Sequence, residues 1–206
     1  MPKSRLWVVK LGGSLVHAAE LRAWLAACAA PGNPSCVVVI GGGPVVDEVR
    51  ALQATWAFDD GLAHRLALDA MAINARVAAA LEPRLPRIER PTPGMAGPAL
   101  WVPQPPCNWL ALPESWAVSA DSIAFYIAQR LGADCTLLVK SAPPQALAAG
   151  PVAAAAAAGL VDQHLPRLLV GSPATELRLL GLDEHEAFVQ ARAAGTAPGA
   201  RLSAAE

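Results

Sequence analysis

Near its start the chain reads Arg5-Leu6-Trp7-Val8-Val9-Lys10-Leu11-Gly12-Gly13-Ser14. The first half is a short apolar run with β-branched and aromatic residues, a composition typical of a buried strand. The run ends at Lys10 and breaks into Gly12 and Gly13, where the missing Cβ lets the backbone approach a ligand closely. A lysine beside bare backbone amides can cradle a phosphoryl group. The alternative is an ordinary strand-to-helix turn with a surface lysine.

The same pattern occurs a second time. An amphipathic helix is predicted over residues 15–30, and an unbroken β-branched strand follows over residues 36–40. This strand ends in Gly41-Gly42-Gly43-Pro44, and Pro44 suits the first turn of another helix. The resulting βαβα order predicts an open α/β sheet that binds ligands at the carboxyl ends of its strands.

Neither of two familiar glycine motifs fits these turns. A Rossmann fingerprint would need a third glycine where Val46 stands, and a P-loop would need its lysine after the glycines, whereas Lys10 precedes them. The tandem arrangement is therefore a different kind of site.

Composition narrows the class of protein. Hydrophobic residues make up 54% of the 206 residues and charged residues 16%, which excludes a disordered chain. A formal net charge of −1 gives no electrostatic reason to expect nucleic acid or an anionic membrane as a partner. The alanine runs are too short to span a bilayer, and Lys10 interrupts the first apolar run of any signal peptide. We therefore expect a cytoplasmic protein that forms one domain over residues 1–206.

The chain has four cysteines, Cys28, Cys36, Cys107 and Cys135. They form no C-x-x-C pair, and their spacing with the four histidines matches no metal site. Free thiols in a reducing compartment are the expectation.

The middle and the end of the chain are less specific. Residues 60–81 read as one long alanine-rich helix, in which His64 is more simply a structural histidine than a catalytic one. Residues 82–106 are dense in proline and predict an irregular crossover with short strands at 87–90 and 99–102. Further on, we expect short strands at 166–170 and 176–180, a helix at 183–194, and a frayed tail from about residue 197.

A third motif, Ser119-Ala120-Asp121-Ser122, begins another amphipathic helix. Ser119 is a good N-cap and Asp121 lies in the first turn, so helix capping alone explains both. The strand that follows, residues 135–139, ends in Lys140 and Ser141. If its strand is parallel to the first, Lys140 and Lys10 lie at one edge of the sheet, together with Asp121.

Two lysines, glycine-rich amides and an ordering carboxylate are the parts that phosphoryl transfer needs. That reaction depends on positioning and on stabilising charge, and a lysine ammonium is a compact point charge suited to it. No covalent nucleophile with an adjacent base is evident in the sequence.

The four ordered motifs resemble those of the amino acid kinase superfamily. The resemblance rests on residues 9–14, 39–44, 119–122 and 138–141. It implies a three-layer αβα sandwich with a mainly parallel sheet, assembled as a homo-oligomer. It also implies an enzyme that transfers the γ-phosphoryl group of ATP, with Mg²⁺, to a phosphorylated or carboxylate small molecule.

Roles follow from this resemblance position by position. Lys10 and Lys140 would hold the transferred phosphoryl group, and Asp121 would orient the lysines or engage the metal. The remaining ATP-binding positions would be Gly12, Gly13, Ser14, Ser119 and Ser141. The acceptor would be bound by Gly41, Gly42 and Gly43, with His64 either structural or in contact with the acceptor.

Within the superfamily the sequence is most similar to small kinases of methanofuran biosynthesis, which convert [5-(aminomethyl)furan-3-yl]methyl phosphate to its diphosphate. The similarity lies in residues 64–67, 69–71, 116–131 and 159–162. After Lys140 the sequence departs from the superfamily pattern, with residues 141–146 in place of a valine-aspartate-glycine-like stretch. Two alternatives therefore stand: a kinase acting on a nucleoside monophosphate or an amino-acid carboxylate, and a non-catalytic relative that binds nucleotides or anions.

Overall fold

The computed structural model describes residues 5–95, 97–142, 146–172 and 174–204. Within them, eight strands form one sheet in the order β3-β4-β2-β1-β5-β7-β8-β6. The strands are β1 Leu6–Leu11, β2 Ser35–Ile40, β3 Arg87–Ile88, β4 Ala99–Trp101, β5 Cys135–Lys140, β6 Gly150–Pro151, β7 Glu176–Gly181 and β8 Ala200–Ser203. Every pairing is parallel except that of β7 with β8.

The described helices connect these strands. They are α1 Leu21–Ala29, α2 Pro44–Trp56, α3 Asp60–Leu81, α4 Ala120–Leu131, α5 Val152–Ala157, α6 Leu165–Val170 and α7 His185–Ala194. Helices cover both faces of a mostly parallel sheet, so the predicted α/β class and αβα layering are confirmed. No described helix combines the length and the apolar character needed to cross a membrane.

The central strand β1 shows how the layers are built. Its side chains alternate between the two faces of the sheet, because the period of a strand is two residues. Trp7 and Val9 belong to the apolar core beneath α1 and α7, and the ring centroids of Trp7 and Phe188 are 6.0 Å apart. Val8 belongs to the core beneath α4. Lys10 has the same parity as Val8 and therefore faces α4.

Three local predictions differ from the structure. The helix predicted over 15–30 is a short 3₁₀ turn, Gly13–His17, followed by α1. The strand predicted at 166–170 is helix α6, because the carboxylate of Asp162 accepts the Leu165 N–H at 3.0 Å and Pro166 suits a first helical turn. The frayed tail is also wrong, since β8 pairs antiparallel with β7.

The cysteine prediction agrees with the structure. All four thiols are free and buried. Burial raises the pKa of the Cys135 thiol to about 12, so this sulfur stays protonated at neutral pH.

Candidate active site

Both lysines lie at the carboxyl edge of the sheet, on the face that α4 covers. β1 and β5 are parallel neighbours, and Lys10 is in register with Leu138, two residues before Lys140. Leu138 belongs to a core cluster on the face opposite Leu137 and Val139, so Lys140 projects to the same side as Lys10. The alternation of the two strands thus directs both ammonium groups at the start of α4.

Asp121, in the first turn of α4, joins the two lysines. Its Oδ1 lies 2.8 Å from Lys10 Nζ, and its Oδ2 accepts a hydrogen bond from Lys140 Nζ at 2.6 Å. The side chains of Asp121 and Lys10 are 4% and 8% exposed, and that of Lys140 is 14% exposed. We call these three residues the lysine–aspartate bridge.

Charge within the bridge sets the protonation states. Burial by itself would raise the pKa of Asp121, but the two ammonium groups outweigh it and lower the pKa to about 2. Burial and repulsion from Lys10 lower the pKa of Lys140 to about 8, against the opposing attraction of Asp121. At neutral pH the bridge therefore holds one carboxylate between two ammonium groups and has a net positive charge, which suits a bound anion.

The two glycine turns pack against each other through their backbones. A Cβ at Gly13 would lie 2.1 Å from the nitrogen of Gly43, and one at Gly41 would lie 2.6 Å from the nitrogen of Gly13. Gly43 also has φ +57°, a conformation that favours glycine. Asn74 Nδ2 donates to the Gly41 carbonyl at 2.8 Å and anchors the second turn to α3. Glycine is required at these positions because the two turns approach each other closely. The sequence predicted a close approach of this backbone to a ligand, and the structure shows a close approach of one turn to the other.

The predicted nucleotide-side residues are only partly available for binding. The Gly12 N–H donates to the Val139 carbonyl at 3.2 Å, so this amide is engaged within the protein and its contact with ATP stays a prediction. Ser14 and Ser141 are hydrogen-bonded through their hydroxyls at 2.9 Å, which brings the two lysine-bearing strand ends together. Pro143, Pro144 and Gln145, in the stretch that departs from the superfamily pattern, lie outside the described residues.

Ser119 has the capping role that the sequence predicted. Its Oγ accepts the Asp121 N–H at 3.3 Å and donates to Asp162 Oδ2 at 2.9 Å. The hydroxyl is therefore engaged within the protein. Asp162, which the sequence flagged only through a resemblance, contacts the start of α4 directly.

A cavity of about 330 Å³ opens beside the bridge. Lys10, Gly13 and Ser14 border it, together with residues 41–44 of the second glycine turn. The rest of its wall combines apolar and polar side chains: Val46, Asp47, Arg50, His64, Ala67, Leu68, Met71, Trp116, Val118, Ser119, Ala120 and Ile123. The three glycines and His64, predicted to bind an acceptor, are thus brought together at one cavity.

The segment of residues 107–118 forms part of this wall and is tied to α2 and α3. Arg50 Cζ lies 4.4 Å from the centre of the Trp116 ring, and Trp116 Nε1 donates to Gln53 Oε1 at 2.5 Å. Arg65 forms an ion pair with Glu114 at 2.7 Å. Sequence reasoning gave Arg50 and Trp116 no site role, because only the tertiary contact between α2 and this segment places them at the cavity.

His64 is buried, and its imidazole lines the cavity. Burial lowers the pKa of His64, partly opposed by Glu114 and by a hydrogen bond to the backbone of Ser115. The ring is therefore neutral at pH 7, with one donor and one acceptor nitrogen, and the hydrogen bond to Ser115 uses one of the two. This geometry permits both roles, structural and acceptor-binding, that the sequence left open for His64.

The described residues provide no built metal cage. In the part of the chain that the structure describes, no three His, Cys, Asp or Glu side chains cluster so as to hold a metal ion. Both oxygens of Asp121 face lysine nitrogens. Mg²⁺ commonly binds proteins through few carboxylates and mainly through substrate phosphates, so a metal here would have to arrive with a phosphorylated ligand.

Comparisons of the whole chain with solved structures identify the same architecture. The chain superimposes on uridylate kinase from Archaeoglobus fulgidus with a TM-score of 0.66 at 14% identity, covering 96% of this chain and 99% of that one. UMP kinase from Bacillus anthracis gives 0.67 at 15% identity, with 98% and 97% covered. Aspartate kinase from Synechocystis gives 0.59 at 14% identity, with 97% and 40% covered. No family model and no curated protein sequence matches the chain. These likenesses establish an amino acid kinase-like fold.

Proposed function

We propose that the protein is an ATP-dependent kinase that transfers the γ-phosphoryl group to an anionic acceptor held in the 330 Å³ cavity. The observation that carries the proposal is the lysine–aspartate bridge at the carboxyl edge of a parallel sheet. Two ammonium groups fixed by one carboxylate can stabilise charge that builds up on a moving phosphoryl group, and they need no reorganisation to do so.

The residues divide the work between the two substrates. Lys10 borders the acceptor cavity, whereas Lys140 lies across Asp121 from it, beside Ser141 on the nucleotide side. In transfer, the bond from the γ-phosphorus to the β–γ bridging oxygen breaks as an acceptor oxygen forms a new bond to phosphorus. ADP leaves with the bridging oxygen, and Lys140 stabilises the charge that oxygen gains. Because the acceptor oxygen is already anionic, no general base is required.

Magnesium would neutralise charge on the ATP phosphates, and the protein's own contribution is the pair of ammonium groups. Asp121 is assigned to orienting the lysines, because each of its oxygens already lies within 2.8 Å of a lysine nitrogen. We propose a cytoplasmic location for the reaction, which the four buried free thiols support. The resemblance in the sequence also predicts a homo-oligomer, which sedimentation would measure.

For the acceptor we propose [5-(aminomethyl)furan-3-yl]methyl phosphate, with its diphosphate as product. The cavity is lined by a cation, Lys10, by the apolar side chains of Leu68 and Met71, and by Trp116. A small flat ring that carries one phosphate suits such a lining, because the phosphate can contact Lys10 and the ring can pack on the apolar side chains. The motif similarity of residues 64–67, 69–71 and 116–131 supports the same choice.

The second candidate is a nucleoside monophosphate acceptor. It is favoured by the likeness, over nearly the whole chain, to two proteins described as uridylate or UMP kinases. Arg50, which borders the cavity, could take part in binding a nucleotide phosphate. A third candidate, a non-catalytic nucleotide-binding protein, rests on the unusual stretch after Lys140.

A panel assay separates these candidates. Purified protein with ATP and Mg²⁺ is offered the furan phosphate, UMP, other nucleoside monophosphates and aspartate, and both ADP and phosphorylated product are measured. We expect product from the furan phosphate that Lys10→Met reduces by about 100-fold or more. Turnover of another acceptor alone would reject the furan assignment, and ATP binding without any turnover would support the non-catalytic candidate.

A further inference from the structure

We propose that Asp162 is a positioning residue. It fixes the start of α4 and thereby sets the position of Asp121 relative to Lys10 and Lys140 in the lysine–aspartate bridge. This inference rests on the proposed phosphoryl-transfer site. Asp162 lies in the loop between α5 and α6, and its carboxylate is a hydrogen-bond hub that joins α4 to α6.

Every contact of this carboxylate is with a donor. Oδ2 accepts from Ser119 N at 2.8 Å, Ser119 Oγ at 2.9 Å and Ser122 N at 2.9 Å. Oδ1 accepts from Ser122 Oγ at 2.5 Å, His164 N at 3.2 Å and Leu165 N at 3.0 Å. Capping one helix needs one or two such contacts, so this set holds two helix starts on a single charged group.

A continuous path leads from this hub to the bridge. Ser119 Oγ donates to Asp162 and at the same time accepts the backbone N–H of Asp121 at 3.3 Å. Asp121 then reaches both lysines within 2.8 Å. The backbone position of Asp121, and with it the spacing of the two ammonium groups, therefore depends on the placement of Ser119 by Asp162.

Charge adds a second link. Lys140 faces Lys10 on β1, Asp121 on α4 and Asp162 in the loop before α6, and the negative charge of Asp162 favours the protonated form of Lys140. Removing that charge, or letting Asp121 drift away, should lower the titration midpoint of Lys140. A residue that merely stabilises the fold would not change this midpoint.

The test compares Asp162→Asn with wild type in the full chain. An amide keeps one acceptor but turns an NH₂ group toward three donors, so α4 should shift. We expect kcat to fall at least about tenfold, since misplacement of about 1 Å at a reacting centre can cost ~100-fold, while the KM values change less than about twofold. Asp134→Asn is the matched control, because Asp134 accepts the Leu6 N–H at 2.9 Å at the opposite end of β1. Unchanged kcat in Asp162→Asn would overturn the proposal.

A readout that does not need turnover keeps this test separate from the proposed function. The chain has three lysines, Lys3, Lys10 and Lys140, so an NMR titration of labelled lysine side chains has few signals and follows Lys140 directly. Asp162→Asn should lower the Lys140 midpoint even if the wild type turns over no acceptor, which would reject the kinase proposal alone. An unchanged midpoint in such a protein would reject the role of Asp162.

Should Asp162→Asn fail to fold, Ser119 offers a second variant. Ser119→Ala breaks the path to Asp121 while Asp162 keeps its other contacts. It should lower kcat and the Lys140 midpoint in the same direction, and Ser119→Thr, which retains the hydroxyl, should restore both. Equal kcat and equal midpoints in all three proteins would contradict the proposal.

Discussion

At the scale of single residues, Asp121 decides whether two like charges can share one site. Lys10 and Lys140 are both largely buried, and each contacts a different oxygen of the same carboxylate. A buried ion pair contributes little net stability, but removing one partner is expensive because the remaining charge is left without compensation. Asp121 is therefore the member of the bridge whose removal we expect to cost most, because it would leave two buried ammonium groups without a counter-charge.

The first prediction is that Asp121→Asn lowers the free energy of unfolding by about 3–5 kcal/mol, the usual cost of breaking a buried ion pair. Urea denaturation at pH 7 measures it. Glu176→Gln serves as control, because Glu176 pairs with Arg178 at 2.9 Å on a partly exposed strand and should cost at most about 1 kcal/mol. Equal losses in the two variants would contradict the role assigned to Asp121.

A second prediction concerns pH. Because the pKa of Lys140 is about 8, kcat/KM should fall as pH rises through about 8, whereas Asp121, with a pKa of about 2, stays ionised throughout a neutral assay. Stability should move the other way. Between pH 8 and 10.5 the unfolded chain retains a proton that folded Lys140 has lost, so this residue's contribution to the free energy of unfolding rises with pH.

Lys140→Met isolates that contribution from other titrating groups. The free energy of unfolding of wild type minus that of Lys140→Met should increase as the pH rises from 8 to 10.5. A difference that stays flat over this range would show that Lys140 titrates near its ordinary pKa in the folded protein.

At the scale of elements, the two glycine turns behave as one unit. They connect β1 and β2 to the segments that follow, and their backbones touch where any side chain would collide. Parallel pairing of β1 with β2 places both turns at the same edge, so the contact follows from the strand order as well as from the residues.

Gly13→Ala should therefore lower the free energy of unfolding by about 1–3 kcal/mol or more, because its Cβ would meet the Gly43 backbone nitrogen at 2.1 Å. Thermal unfolding and acceptor KM are the measurements. Gly150→Ala is the control, since a Cβ there meets nothing within 4 Å. If both variants unfold alike, the close packing of the turns is not what requires glycine.

The 107–118 segment gives a further prediction at this scale. Trp116→Ala removes the ring that lines the cavity and stacks with Arg50, so the acceptor KM should rise about tenfold with a smaller change in the KM for ATP. Trp56→Ala is the control, because Trp56 is 73% exposed on α2 and outside the cavity wall. Equal effects of the two substitutions on the acceptor KM would remove Trp116 from binding.

Sequence reasoning reached the elements whose signals are local. β-branched runs and paired glycines identified β1 and β2, and the capping pattern located the start of α4 at Ser119. It failed at α6, because the apolar run at 166–170 has no strong period and the cap that makes it helical comes from Asp162. It also missed β8, a strand that exists only by pairing with β7.

The site, like the fold, was predictable where the signals are local or follow from strand order. Residues at strand ends could be placed together from the parallel order alone, which brought Lys10, Lys140 and Asp121 to one edge. Arg50 and Trp116 could not be found in this way, because their meeting depends on how the 107–118 segment packs on α2. The hydrogen bond from the Gly12 N–H to the Val139 carbonyl could not be predicted either, because it depends on the register of β5 beside β1.

At the scale of the whole molecule, one sheet spans both halves of the proposed reaction. The cavity proposed for the acceptor lies beside β1 and β2, and the side proposed for the nucleotide lies beside β5, which the lysine–aspartate bridge connects to β1. Ligands on the two sides should therefore stabilise the same folding unit and not separate parts of it.

The last prediction follows from that arrangement. A non-hydrolysable ATP analogue with Mg²⁺, at about 100 times its Kd, should raise the free energy of unfolding by about 2.7 kcal/mol and Tm by roughly 5–10 °C in a single transition. Differential scanning calorimetry measures it, and Lys140→Met should reduce the shift. Two separate transitions, only one of them moving, would contradict a single folding unit.

The contact between the glycine turns also bears on redesign of the protein. The glycine turns border the cavity with closely packed main-chain atoms, whereas Arg50, His64 and Trp116 line it with side chains. A mutational library confined to Arg50, His64 and Trp116 would vary the side chains of the cavity wall and leave the main-chain contact between the glycine turns unchanged. Selectivity for the acceptor could then change quickly by substitution in the cavity wall, while the lysine–aspartate bridge stays the same.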